Sequence, residues 1–299
     1  MQLFSDFPWP LIPGQTSRPV WDGLKFLVNG QSLRVLVYDT EQSHWSEELT
    51  AMHEKEGGNQ HPIDVASRRL AIVSMGQIGK KTPVILDVGC SSGFVLDELK
   101  AAMPMAGLIG ADYLRGPLET LGKRILDIPI MQFDLRRCPL PEGCVDGITC
   151  LNVLEHIDEH AQALSEIYRI LANDGIAHIE VPAGPHLYDI YDEHLMHYRR
   201  YKLNDLVSLA KKIGFSVQKA THLGFAVYPA FWWTKKRNRK KLGIPPEEKA
   251  RLVAQQIRNT KSSLPMRVLM NLETSMGRFI SYPWGIRCVV TLKKQSISQ

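Results

Sequence analysis

The sequence predicts an α/β fold in which helices cover both faces of a doubly wound, mostly parallel sheet. From residue 83 onward, strand-like runs alternate with helix-like runs, and this alternation is typical of parallel sheets. The first strand-like run, 84–88, is continuously apolar, as expected for a strand that is buried on both faces. Both observations indicate the same fold class.

Further strands are predicted along the rest of the chain, at 34–39, 108–111, 130–133, 145–151, 176–181, 216–222 and 285–293. Residues 226–284 form a predicted helical insertion before the last of these strands, with helices at 247–260 and 265–280. In the second of these helices the apolar residues on one face are Val268, Leu272, Met276 and Phe279. Two earlier helices are predicted at 46–56 and 62–78.

The 299-residue chain has a formal charge of +5 that is unevenly distributed. Residues 1–200 hold 17 Lys and Arg against 27 Asp and Glu, whereas residues 201–299 hold 19 against 4. The basic last third should therefore attract anions. A hydrophobic content of 44% and a charged content of 22% exclude wholesale disorder, and the length fits one large domain.

Several features indicate a cytoplasmic protein. Five cysteines without a Cys-x-x-Cys pair fit a reducing compartment better than a disulfide framework. The first ten residues lack the basic and apolar regions of a signal peptide. The longest near-apolar stretch, 223–233, is shorter than the ~20 residues that a membrane-spanning helix needs. Peripheral contact with the inner face of a membrane remains open.

The clearest functional signal is the segment 85–94, ILDVGCSSGF, where a buried strand runs into a glycine turn and a helix. Gly89 permits a tight turn, and Gly93 permits close approach at the start of the helix. Asp87 can accept hydrogen bonds from a ligand ammonium group or from the loop. Ser91 stands where a dinucleotide fingerprint has its middle glycine, so NAD is disfavoured. A tight turn without a ligand is the alternative for this loop alone.

Polar groups also follow the next three strands. Asp112 ends the second, where an acid can hold ribose hydroxyls, and Asp134 ends the third, where it can face an adenine amino group. The fourth strand runs into NVLEHI at 152–157. The carboxyl ends of parallel strands meet at one edge, so these residues predict a nucleotide-type site, although solvated acids are the alternative.

These segments resemble class I S-adenosylmethionine-dependent methyltransferases, and most of all the small-molecule branch typified by ubiquinone-biosynthesis O-methyltransferases. The resemblance covers about residues 83–223, and its elements are ILDVGCSSG, IGADY, FDLRRCPLPEGCVDGITCLNVLEHI and LSEIYRILANDGIAHIEVP. It implies a Rossmann-like sheet of seven strands with the last one antiparallel. It also implies a methyltransferase domain at 83–295, preceded by an N-terminal cap segment, 1–82, whose helices close over the cofactor.

The resemblance names S-adenosylmethionine as the cofactor. It implies that Asp87 and Gly89 line the methionine part, that Asp112 holds the ribose, and that Asp134 and Leu135 lie at the adenine. Further residues of the same motifs are expected to line the cofactor, namely Cys90, Ser91, Gly93, Tyr113, Asn152 and His156. Capping of the next helix is the alternative for His156, and many family members carry glycine in place of Ser91.

Methyl transfer to a hydroxyl needs a base, whereas transfer to a carboxylate or a neutral amine does not. Candidate groups follow the fifth strand at 181–201 and so overhang the crevice. His197 is the expected base or substrate-orienting residue, with His194 and Tyr188 as further catalytic candidates. The expected substrate ligands are His186, Arg199, Arg200 and Tyr201. A structural role is the alternative for the histidines.

Two of these assignments have specific alternatives. Arg199 and Arg200 suit a carboxylate or phosphate, but they could instead pair with the nearby acids Asp189, Asp192 and Glu193. His194 and His197 lie three residues apart beside two of these acids. A solvated helix turn is favoured over a metal site there, and no metal is predicted.

Residues 228–241 join an aromatic run, YPAFWW, to a basic run, KKRNRKK. This composition suits an anionic membrane surface, nucleic acid or a phosphorylated acceptor. The alternative is that the aromatic rings pack under the insertion while the charges face water. No RNA-binding module accompanies the run, so RNA ranks last.

The leading hypothesis is a methyltransferase that acts on O, N or carboxylate of a small or medium acceptor. The acceptor is expected to be anionic, and the classes considered are a peptide, a glycan or a lipid-linked natural-product intermediate. The alternatives are an RNA methyltransferase and a membrane-surface protein that keeps the fold without the reaction. The sequence makes no prediction of the oligomeric state.

Overall fold

The computed structural model of the protein describes residues 4–39, 58–261 and 263–296. Within them the strands are β1 (Val20–Trp21), β2 (Phe26–Val28), β3 (Gln31–Leu33), β4 (Val35–Val37), β5 (Val84–Val88), β6 (Gly107–Asp112), β7 (Ile130–Gln132), β8 (Val145–Leu151), β9 (Leu171–Pro182), β10 (Phe215–Leu223) and β11 (Arg287–Lys294). The helices are α1 (Pro62–Met75), α2 (Phe94–Ala102), α3 (Arg115–Arg124), α4 (His160–Ile170), α5 (Ile190–His194), α6 (Leu203–Ile213), α7 (Tyr228–Arg239), α8 (Pro246–Lys261) and α9 (Leu264–Met276).

Eight of these strands form the central sheet, in the order β10-β11-β9-β8-β5-β6-β7-β4. The neighbours from β9 to β4 pair in parallel, and β11 runs antiparallel between β10 and β9. The doubly wound, mostly parallel sheet with an antiparallel last strand is therefore confirmed. All seven predicted strands of the domain are present, and β4 from the N-terminal segment adds an eighth at the edge.

Amphipathic helices cover both faces of the sheet. On one face α1, α2 and α3 bury apolar side chains, such as Met75, Leu96 and Leu118, against β5, β6 and β7. On the other face α4 and α6 do the same with residues such as Ile167 and Leu206. Burial on both faces accounts for the continuous apolar run of β5.

The N-terminal segment contributes directly to this packing. Phe4, Trp9 and Phe26 are buried in the same cluster as α4 and α6, and β1, β2 and β3 form a small separate sheet. Helix α1 packs against β8 and β9. Part of 1–82 thus belongs to the layers of the sheet, in addition to any cap. The helix expected at 46–56 lies outside the described residues.

Helices α7, α8 and α9 follow β10 and precede β11 along the chain, as the predicted insertion requires. Met270 of α9 and Phe231 of α7 pack in one cluster with residues of α1, β10 and β11. The apolar face of α9 noted in the sequence, which includes Val268 and Leu272, is instead exposed to solvent.

None of the helices in the described part of the chain combines the length and the apolar character that crossing a membrane requires.

Candidate active site

The loop after β5 has a backbone that only small residues accommodate. Gly89 and Gly93 adopt φ values of 74° and 75°, and Ser91 adopts 44°. A Cβ atom on Gly89 would lie 2.4 Å from Cγ2 of Val153, and one on Gly93 would lie 2.5 Å from Cδ1 of Leu121. The two glycines therefore satisfy both a left-handed backbone and a close approach.

Asp87 is the buried carboxylate beneath this loop. The Thr149 hydroxyl donates to its Oδ1 at 2.6 Å, while Oδ2 is buried without a hydrogen-bond partner among the described residues. Burial raises the pKa of Asp87 to about 7. A cationic ammonium group would supply the charge that this oxygen lacks, so Asp87 fits the methionine part of the cofactor.

The acids at the ends of β6 and β7 are held in different ways. The carboxylate of Asp112 accepts hydrogen bonds from the backbone N–H groups of Ser91 and Leu114, both at 3.0 Å, and so links the two strand ends. The carboxylate of Asp134 is buried and accepts three bonds from the Arg136 guanidinium, at 3.1, 2.9 and 2.7 Å. The Arg136 guanidinium therefore balances the negative charge of Asp134.

Other expected cofactor residues lie around the same edge. Cys90 and Leu135 are buried, and the Tyr113 carbonyl accepts a bond from the Gln132 side chain at 3.0 Å. Asn152 adopts a φ of 54°, and its N–H donates to the Glu180 carbonyl at 2.9 Å. These positions agree with a crevice at the carboxyl ends of the strands, and each residue's contact with a cofactor stays a prediction.

The turn Leu154–His156 connects the cofactor loop to the segment after β9. Val153 touches the position of Gly89, and the His156 ring lies 4.7 Å from the His197 ring, centroid to centroid. Helix α4 has Glu159 at its N-cap, so His156 does not cap it. Val153 and His156 therefore link the loop to His197, one through its contact with Gly89 and the other through its contact with the His197 ring.

Glu155 in this turn is a second buried carboxyl group with an unpartnered oxygen. It is fully buried, and its Oε2 has no hydrogen-bond partner among the described residues. Burial raises the pKa of Glu155 to about 8. Sequence reasoning missed this residue, although it directly precedes His156 in NVLEHI, because an isolated Glu is usually solvated.

His197 is buried and held by a carboxylate. Its Nδ1 lies 2.9 Å from Oδ1 of Asp192, and an ionised carboxylate only accepts, so Nδ1 carries the proton. Burial lowers the pKa of His197, although Asp192 opposes that effect. The imidazole is therefore neutral near pH 7, and its Nε2 lone pair is available to accept a proton.

Asp189 and Asp192, here named the carboxylate pair, are both fully buried. Lys235 of α7 places its Nζ 2.6 Å from Oδ1 of Asp189 and 2.9 Å from Oδ2 of Asp192. Arg200 donates to Asp192 at 2.8 Å, and Asn238 donates to Asp189 at 3.1 Å. Burial opposes the charge of Asp192, but Lys235, His197 and Arg200 hold its pKa below the usual range.

Lys235 and Asn238 were not predicted to have this role. The sequence places Lys235 in a basic run, whereas the structure leaves only 4% of it exposed. The sequence did contain a sign of this role, because residues three apart lie on the same side of a helix, as Lys235 and Asn238 do in α7. The neighbouring cations Lys236 and Arg237 are exposed.

Three of the four expected substrate ligands, Arg199, Arg200 and Tyr201, bond to backbone carbonyls of the chain itself. Arg200 pairs with Asp192, which is the alternative that the sequence left open for it. It also donates to the carbonyls of Ala183 and Ile286. Arg199 donates to two carbonyls after the Leu154–His156 turn, and the Tyr201 hydroxyl donates to the Leu154 carbonyl at 3.0 Å. These contacts give the three residues structural roles, and substrate binding stays a prediction.

The remaining candidates are Tyr188, His186 and His194, and Tyr188 contacts His197. The Tyr188 hydroxyl donates to the His197 carbonyl at 2.9 Å, so it helps to position this residue. His186 is exposed, and its Nε2 lies 3.3 Å from the Tyr228 hydroxyl. Burial lowers the pKa of His194, which lies on α5, away from the carboxylate pair's bonds.

One group of side chains could hold a metal ion. Glu155, His156 and His197 each offer a ligand atom, and these atoms lie within 4.8 Å of one another. The hydrogen bond from His197 to Asp192 would orient such a ligand. The sequence considered His194 with His197 instead and predicted no metal.

The comparisons with known proteins agree with this geometry. Residues 86–179 match a family described as a methyltransferase domain. A probable S-adenosylmethionine-dependent methyltransferase of Mycolicibacterium smegmatis is 28% identical over 136 residues, which cover 45% of this chain and 52% of that relative. Residues 86–179 therefore belong to a methyltransferase domain, and the relative is named for dependence on S-adenosylmethionine. The resemblance and the cofactor class expected from the sequence are thereby confirmed.

Other similar proteins extend the comparison of the methyltransferase domain. Demethylmenaquinone methyltransferase of Thermus thermophilus is 29% identical over 107 residues, which cover 34% of this chain and 48% of that protein. The chain therefore spans about half the length of these two relatives. Phosphoethanolamine N-methyltransferase 2 of Haemonchus contortus, in complex with S-adenosylmethionine, has a TM-score of 0.55 at 15% identity, covering 83% of this chain and 57% of that chain. That likeness supports the fold alone.

Gly89→Ala should weaken binding of S-adenosylmethionine at least about tenfold, because the new methyl group would overlap Val153 and displace the loop. Gly143→Ala is the matched control, since Gly143 also has a positive φ of 66° but nothing within 4 Å of its Cβ position. Both variants carry the backbone cost of about 1 kcal/mol. Isothermal titration should show a loss of affinity for Gly89→Ala only, and equal affinities would contradict the assignment of the loop.

Binding of S-adenosylmethionine should strengthen as the pH rises through about 7, the pKa of Asp87 in the free protein. The ammonium group favours the ionised carboxylate, so binding lowers this pKa and releases a proton. Calorimetry in two buffers of different ionisation enthalpy measures that proton. Asp87→Asn should weaken binding and remove the dependence near pH 7, whereas Glu155→Gln should retain it. A pH-independent affinity in the unaltered protein would refute the contact.

Lys235→Met should reduce the free energy of unfolding by about 3–5 kcal/mol, because it leaves two buried carboxylates with one cation fewer. Lys236→Met, one residue along the same helix, removes an exposed cation that lies over Trp232. That control should cost less than about 1 kcal/mol. Denaturant unfolding compares the two, and similar losses would show that the buried ion pairs do not stabilise the fold.

Proposed function

We propose that the protein transfers the methyl group of S-adenosylmethionine to a hydroxyl oxygen of a small or medium acceptor, with His197 as the base. The observation that carries this proposal is the hydrogen bond from neutral His197 to Asp192. A hydroxyl acceptor needs a base, whereas a carboxylate acceptor needs none. A buried, neutral imidazole beside the crevice is therefore best suited to O-methylation.

The bound cofactor supplies an electrophilic methyl group, and the residues of the chain position it and handle the proton. Asp87 holds the ammonium group, while the loop 89–93 lets the cofactor approach the backbone closely. The acceptor oxygen would receive this methyl group and lose its proton to the chain. Nε2 of His197 takes the hydroxyl proton, and Asp192 stabilises the resulting imidazolium.

The cations that pair with Asp189 and Asp192 help to keep His197 neutral before the reaction. Lys235 and Arg200 bring two positive charges to the two negative charges of Asp189 and Asp192. Without these cations, the net negative charge beside His197 would favour its protonated form, which cannot act as a base. Positioning by Asp192 and charge balance by Lys235 and Arg200 are thus two separate contributions.

Two observations bear on the acceptor. The Thermus thermophilus relative is named for a small-molecule acceptor, demethylmenaquinone. The last 99 residues are strongly basic, with 19 Lys and Arg against 4 Asp and Glu, which favours an anionic acceptor. A peptide, a glycan and a lipid-linked intermediate all remain within this class. Incubation with methyl-labelled cofactor and fractionated lysate identifies which fraction takes the label, and no labelled fraction would contradict the proposal.

His197→Gln should lower kcat at least about a hundredfold without changing cofactor affinity, because glutamine cannot accept the proton. In the unaltered protein the rate should fall as the pH drops below the pKa of His197, which burial holds below about 6.5. The variant should lose this acidic limb. The rate is measured with the labelled acceptor fraction over a range of pH.

His194→Gln is the matched control, because His194 lies in the same segment without a bond to the carboxylate pair. It should leave kcat within about threefold and keep the acidic limb. The assay is repeated with EDTA, since Glu155, His156 and His197 could instead hold a metal ion. A rate that the chelator abolishes would contradict the role of His197 as base, and so would a His197→Gln variant that keeps the acidic limb.

A further inference from the structure

The outer side of α9 is an apolar face without a partner among the described residues. Leu264, Val268, Leu272 and Met276 recur every fourth residue and are 65%, 50%, 57% and 57% exposed. Phe279, just after the helix, is 90% exposed. The opposite side of the helix is buried through residues such as Met270 and Thr274. Helix α9 therefore packs one side against the fold and presents an apolar face to solvent.

Hydrogen bonds fix the rotation of α9 about its axis. The Glu273 carboxylate accepts bonds from the backbone N–H groups of Gly224, Phe225 and Ala226, at 2.6, 3.0 and 3.1 Å. The Tyr282 hydroxyl also donates to the Glu273 carbonyl at 2.9 Å. The outer face cannot turn inward without breaking these bonds. Its exposure is thus a defined feature of the fold, and exposed apolar patches of this kind mark binding sites.

Helix α7 adds aromatic rings beside cations. Trp232 and Trp233 are exposed, and Lys236 and Arg237 each place their charge 5.0 Å from one of the two ring centroids. Helices α7 and α9 share one buried cluster through residues such as Phe231, so both belong to one part of the molecule. Tryptophan rings and neighbouring cations are typical of the headgroup region of membranes.

The charge of the insertion favours an anionic partner. Residues 228–284 contain 12 Lys and Arg against 3 Asp and Glu, a net charge of +9. Arg267 and Arg278 are exposed on α9 and just after it. Lys235 and Lys249 form internal ion pairs and are not available for a partner.

We infer that the outer face of α9, together with Trp232 and Trp233, docks on the surface of an anionic lipid bilayer. The apolar side chains enter the boundary of the acyl chains while the surrounding cations meet the headgroups. A second copy of the chain is a poorer occupant, because a symmetric interface would bring two +9 insertions together. This docking surface differs from the basic run 235–241, since the apolar contacts come mainly from α9.

The experiment is sedimentation with phosphatidylcholine vesicles that contain or lack phosphatidylglycerol. The unaltered protein should sediment with the anionic vesicles, and binding should weaken as salt is added. The double variant Leu272→Ser and Phe279→Ser should lower the partition coefficient by about tenfold or more, because two large apolar side chains leave the bilayer. The control is Met105→Ser with Leu126→Ser, two residues that are each 53% exposed elsewhere on the molecule.

A second pair of variants tests the charges. Lys236→Gln with Lys240→Gln should weaken binding to anionic vesicles, whereas Lys211→Gln with Lys212→Gln, on the opposite layer of helices, should not. Circular dichroism verifies that every variant is folded. Equal sedimentation of the unaltered protein and the Leu272→Ser, Phe279→Ser variant would overturn the inference. So would a stable dimer in light scattering that this variant converts to monomer, since a second copy would then occupy the face. Neither result depends on methyl transfer.

Discussion

The ion pairs of the carboxylate pair join parts of the chain that are distant in sequence. Asp189 and Asp192 follow β9, Lys235 lies in the insertion, and Arg200 reaches the Ile286 carbonyl just before β11. Two carboxylates cannot be ionised side by side in an apolar interior without cations and donors around them. The packing of α7 onto the segment after β9 therefore helps to keep ionised the carboxylate that holds the His197 ring.

Buried carboxylates occur in two contrasting environments around the crevice. Cations surround the carboxylate pair and keep Asp192 ionised. Asp87 and Glu155 each have a buried oxygen without a hydrogen bond among the described residues, and burial raises both pKa values. Cations and donors of the chain complete the first environment. For Asp87 we proposed that the ammonium group of the cofactor completes the second.

The sequence was informative where the constraint is local. Gly89 and Gly93 could be recognised because a strand, a tight turn and a helix follow one another within ten residues, and the strand ends then located Asp112 and Asp134. Lys235 could not be recognised in the same way, since its partner Asp189 lies 46 residues earlier and a run of cations is normally solvated. The apolar face of α9 was visible as a periodicity, but periodicity alone does not tell which side of a helix meets the fold.

Helix α7 presents different chemistry on its two sides, and this connects the interior of the site with the surface. Its twelve residues form one continuous helix, with Lys235 and Asn238 bonded to the carboxylate pair and with Trp232 and Trp233 in solvent. A tilt that changes the surroundings of the two indole rings also changes the distance from Lys235 to Asp192. Contact of Trp232 and Trp233 with a surface and the charge balance beside His197 are therefore linked through a single helix.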